Sequence, residues 1–137
     1  MHDDIVNSLA GLFGLMICLF PCKVTSTNLE FTGTFQLPVN VCDVIHYCSA
    51  IGFFALLAYN SLFLFTKHGD MPLTRNKKIR NVIYIVCGAG MIVSFAILLL
   101  PKFSCQIWLV EAIALFFFGI SFLTKANCYP WLFCDKK

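Results

Sequence analysis

Apolar residues gather into four long runs, at residues 5–22, 44–65, 82–100 and 107–123, separated by short polar breaks. At about 1.5 Å per helical residue, each run is long enough to cross a hydrocarbon core ~30 Å thick. The pattern predicts an all-α fold: a four-helix transmembrane bundle with short connections and an outer loop of about twenty residues. It forms one integral membrane domain over residues 1–137.

The breaks are punctuated as helix ends should be. Pro21 stands where the first helix must stop, and Pro101 does the same for the third. Asp43 is placed to cap the second helix. In the outer loop, residues 29–37 alternate enough for a short hairpin around Gly33; an irregular flap on the membrane surface satisfies the same residues. Arg80, Asn81 and Tyr84 open the third helix at headgroup level, and Trp108 anchors the fourth at the opposite interface. Small residues at Ala10 and Gly14, and at Gly90 and Ser94, have the four-residue spacing that lets helices approach closely.

Composition narrows the class. Hydrophobic residues make up 59% of the chain and charged residues 12%, where soluble domains carry roughly a quarter charged. The net charge of +3 is not a nucleic-acid footprint, because the basic residues crowd into loops and do not decorate a folded face. Met1-His2-Asp3-Asp4 lacks the basic start of a signal peptide, so the first run is kept as a span.

Sidedness follows from the cations. The middle loop holds Lys67, Arg75, Lys77, Lys78 and Arg80, and the tail holds Lys125, Lys136 and Lys137. Four spans put both on one side, with only Lys23 and Lys102 on the other. The positive-inside bias therefore predicts a multi-pass protein of the cell membrane with both termini cytoplasmic. Its partners are the lipid bilayer, a second copy of itself or other membrane proteins.

None of the eight cysteines forms a C-x-x-C pair, which argues against a thiol redox or zinc site. Cys22 and Cys42 would close the outer loop if bonded to each other on an oxidising side. Cys128 and Cys134 read as palmitoylation sites or as inert thiols.

Within the spans, the polar residues are the candidate chemistry. His46, Ser49 and Asn60 share one face of the second helix, and Glu111 is the one acidic side chain well inside an apolar run. An intramembrane carboxylate needs a partner, a proton or water. His46 and Glu111 share a depth, and together with Ser49 and Asn60 form a candidate intramembrane polar site. That site serves either a ligand or proton, or the packing of helices. One His and one Glu leave a metal site two ligands short, and no catalytic set or cofactor is implied.

Four stretches carry a resemblance: residues 7–13, 57–67, 80–88 and 111–125. They resemble the C-terminal four helices of an uncharacterised bacterial family of small polytopic membrane proteins. Members of that family have two further helices before the first one here, so the resemblance implies a truncated member. It marks His46, Tyr59, Arg80, Asn81, Tyr84 and Glu111 without assigning them roles.

The leading reading is an integral membrane protein that acts through helix or subunit contacts in the bilayer. A small proton-coupled transporter using Glu111 and His46 is the alternative, and a membrane-embedded lipid-modifying enzyme the second. The last lacks a nucleophile or metal set.

Overall fold

In the computed structural model, residues 2–22, 30–67, 75–98 and 107–126 are described. Helix α1 covers His2–Leu19. Asp3 and Asp4 occupy its first turn, where the helix dipole favours negative charge, so the helix begins ahead of the apolar run. Its end is set by Pro21, and the last amide, Phe20 N–H, donates to Met16 O at 3.0 Å.

The described segment just before the second helix is a hairpin. Strands β1 (Phe31–Thr32) and β2 (Leu37–Pro38) pair antiparallel, with Phe31 opposite Pro38 and Thr32 opposite Leu37. The turn between them needs left-handed backbone at Gly33 (φ 76°) and Gln36 (φ 49°). A Cβ at Gly33 would also come within 3.2 Å of both Leu19 O and Pro21 Cδ. Glycine is required there twice over, for its φ and for the close approach to the end of α1.

Helix α2 (Val39–Tyr59) starts earlier than its apolar run, which corrects the expected cap. The N–H of Val39 donates to Glu30 O at 3.1 Å, so the hairpin satisfies one of the first amides. Asp43 consequently lies inside the helix instead of capping it. After Tyr59 the backbone widens into a π-helical turn, Asn60–Leu64, closed by Phe65 N–H donating to Asn60 O at 2.9 Å.

Helix α3 runs Arg75–Leu98 and α4 runs Ile107–Lys125. Because α3 begins at Arg75, Arg80, Asn81 and Tyr84 lie beyond its first turn, not at its start. Hydropathy marks the lipid-immersed part of a helix; the polar turns that project from it carry no apolar signal. Pro101, Cys105, the outer turn before α4 and the tail with Cys128 and Cys134 fall outside the described residues.

The chain divides into two compact units, Met1–Leu56 and Leu57–Lys137. In the first, Val39, Cys42, Ala50 and Phe54 are buried, and the Phe13 ring lies against Gly52. In the second, α3 packs along α4 and the π-helical turn touches both. Its core includes Leu64, Tyr84, Cys87, Met91, Val110 and Ala114. Large apolar side chains face outward instead: Val44, Ile51, Phe116 and Trp108 are between 63% and 70% exposed. Apolar outside with Ser, Asn and Thr inside is the reverse of a water-soluble protein, and it suits hydrocarbon as the solvent.

Candidate functional site

His46, Ser49 and Asn60 are all buried, as lipid, which offers them no partner, requires. His46 has a defined task. Its Nδ1 lies 2.9 Å from Phe20 O, one residue past the end of α1. A carbonyl only accepts, so Nδ1 carries the proton and His46 satisfies an orphan carbonyl of the helix terminus.

A fully buried polar contact in the second unit involves residues that the sequence pattern did not single out. Ser61 Oγ on the π-helical turn and Ser121 Oγ on α4 are 2.7 Å apart, and neither side chain is exposed. Ser121 shares its buried stripe with Val110, Ala114 and Thr124, a helical spacing that in retrospect marks the inner face of α4. Thr124 Oγ1 donates to Ile120 O, and Ser94 Oγ to Gly90 O, both at 2.8 Å, so each hydroxyl is satisfied within its own helix. Asn60 Oδ1, by contrast, is buried without a hydrogen-bond partner among the described residues. Replacing Ser61 and Ser121 with alanine, singly and together, should give a coupling energy of roughly 0.6 kcal/mol in a double-mutant cycle. Strict additivity would show that the hydroxyls do not sense each other.

Glu111 lies beside this stripe, next to buried Val110, and is partly exposed. It belongs to the second unit and His46 to the first. Among the described residues, no three His, Cys, Asp or Glu side chains form a group able to hold a metal ion. Cys22 and Cys42 are both thiols, and buried Cys42 directs its Sγ to Thr32 O at 3.6 Å.

Arg80, Asn81 and Tyr84 come together at one end of the second unit. With Lys67, Lys77 and Lys125 they line a cleft of about 250 Å³. Three chain segments supply it: the residues after the π-helical turn, the first turns of α3 and the last residue of α4. Phe65 sets its wall. The Lys125 Nζ stands over the Phe65 ring, 5.6 Å from its centroid, and Tyr84 meets the same ring edge-on at 5.6 Å. The charge run was legible in the sequence. The arrival of Lys125 beside it was not, because it depends on how α3 and α4 pack.

The fold and its inverted polarity define an all-α membrane protein: among the described residues, three helices, Val39–Leu64, Arg75–Ile97 and Ile107–Lys125, are long and apolar enough to cross a bilayer. Comparison with protein-family models, with curated proteins and with solved structures returns no match.

Proposed function

We propose that this protein crosses the cell membrane four times, α1 included, with both termini in the cytoplasm, and works through helix and subunit contacts within the bilayer. The observation that carries this reading is how its intramembrane polar groups are used. His46 holds a helix end, Ser61 binds Ser121, and Ser94 and Thr124 bind their own backbones. These are packing roles, while the outward faces are apolar and available to lipid or to another helix. The apolar part of α1, residues 5–19, extends about 22 Å, a short span that local thinning of the bilayer accommodates. The gathering of Lys67, Lys77, Arg80 and Lys125 at one end supports the assignment of that end to the cytoplasm. The resemblance to a bacterial polytopic family is part of the same proposal.

One variant tests both halves. Thr34 is exposed on the hairpin turn, and Thr34→Cys in a background without the native cysteines gives a single label there. A membrane-impermeant maleimide should modify it in intact cells. Modification only after permeabilisation would reverse the orientation. Copies carrying donor and acceptor dyes at that position should show energy transfer in vesicles at high lipid excess. Its absence would remove the subunit contact.

A further inference from the structure

The geometry points to the basic cleft as a binding site for the phosphate headgroup of an anionic membrane lipid, with a phosphomonoester such as that of phosphatidic acid the best-matched ligand. Four cationic side chains reach it from three separate segments: Lys67, Lys77, Arg80 and Lys125. Among the described residues that line it, none is acidic. Bringing like charges together is unfavourable by itself. Here the penalty is compounded, because α3 has no acidic residue in its first turn and places Arg75, Lys77 and Lys78 at the positive end of its dipole. An anion in the cleft is attracted by Lys77, by Lys125 and by the positive end of α3 alike.

The donors suit phosphate in particular. A guanidinium offers two parallel N–H groups to two phosphate oxygens, and the lysine ammoniums neutralise the remaining charge. The Asn81 amide and the Tyr84 hydroxyl add neutral donors on the same wall. The cleft, about 250 Å³, is smaller than the roughly 300–1,000 Å³ usual for a drug-sized ligand and fits a headgroup.

Its position argues for a lipid as the source. Phe65 bridges from the cleft to Phe118, 6.4 Å away, so the cleft grades into the apolar interior. Phe118 in turn meets Phe122, 6.0 Å away and 55% exposed, which carries the apolar surface from the cleft wall to the outside of α4, where acyl chains lie. A lipid can therefore seat its phosphate among the cations while its tails stay in the bilayer.

The test is headgroup retention by the full-length protein in nanodiscs, read by native mass spectrometry. The discs are phosphatidylcholine alone, or phosphatidylcholine doped with phosphatidic acid or with phosphatidylglycerol. Phosphatidic acid should be retained above its bulk fraction and above phosphatidylglycerol. Lys77→Gln and Lys125→Gln should each lower that retention roughly five-fold. Lys78→Gln removes the same charge one residue away, from an exposed side chain that does not line the cleft, and should lower retention clearly less than Lys77→Gln. Equal losses for Lys77→Gln and Lys78→Gln would reduce the effect to general surface attraction and overturn the site. Displacement of the lipid by millimolar inorganic phosphate would assign the cleft to a soluble phosphate and overturn the lipid assignment. Retention no better than that of phosphatidylcholine would overturn it as well. The inference rests on the membrane-spanning reading, and the two fail differently. A protein that enters no bilayer defeats both, whereas one that enters without headgroup preference defeats the cleft assignment alone.

Discussion

Gly88→Ala is expected to destabilise the protein by about 1–2 kcal/mol, although alanine is the better helix former by about 1 kcal/mol. A Cβ built on Gly88 falls 2.5 Å from Leu62 Cγ and 2.6 Å from Leu62 Cδ2. The branch carbon cannot swing aside as a terminal methyl does, and Leu62 sits on the π-helical turn, whose backbone is held by the bond between Phe65 and Asn60. Either α3 retreats or the turn deforms. Overpacking of this kind typically costs about 1–3 kcal/mol, which outweighs the gain in helix propensity. Gly119 supplies the control, since nothing lies within 4 Å of the Cβ it would acquire. Gly119→Ala should be neutral or stabilising. Unfolding in mixed micelles with increasing SDS measures both variants. Shortening the opposing side chain in the pair Gly88→Ala, Leu62→Ala should recover part of the loss. A Gly88→Ala protein as stable as the parent would mean that α3 does not approach the π-helical turn as described.

His46→Ala should cost about 1–3 kcal/mol, the usual penalty for leaving a buried hydrogen-bonding group unsatisfied. The group left behind is the Phe20 carbonyl, just beyond the last helical residue of α1. The damage should be local first. Amide exchange in the last turn of α1 should accelerate, while exchange in α3 and α4 stays as it was. His46→Gln keeps an N–H donor on a flexible stem and should recover part of the protection. This pattern separates a structural histidine from a proton carrier: under the helix-end role any loss of the donor frays α1, whereas removing a mere proton carrier would abolish coupling and leave α1 intact. Unchanged exchange in α1 after His46→Ala would dismiss the helix-end role.

The all-helical fold was legible because hydrocarbon is an undemanding reader. It asks only that side chains be apolar over a sufficient length and that backbone groups be satisfied internally, and both conditions are local. The same locality marked Gly33 as a turn, since left-handed backbone calls for glycine, but it left a hairpin and an irregular flap equally open until the pairing of Phe31–Thr32 with Leu37–Pro38 decided between them. Cations were countable for a similar reason: charge keeps to the headgroups wherever the helices pack. Helix limits were less legible. Val39 opens α2 because Glu30, across a hairpin, accepts its amide proton, and Arg75 opens α3 in a polar stretch that hydropathy passes over.

Pairings lay beyond the pattern altogether. His46 was visible as a polar residue in a span, but its partner is a backbone carbonyl 26 positions earlier, and a carbonyl has no sequence signature. Ser61 and Ser121 are separated by 60 positions and look like any small residues tolerated in a span. Lys125 joins Lys67, Lys77 and Arg80 because the packing of α3 on α4 delivers the last residue of one helix to the first turns of the other. Burial in lipid is a one-body property of each side chain. Which polar groups meet is a many-body property of the packed helices, and only tertiary structure decides it.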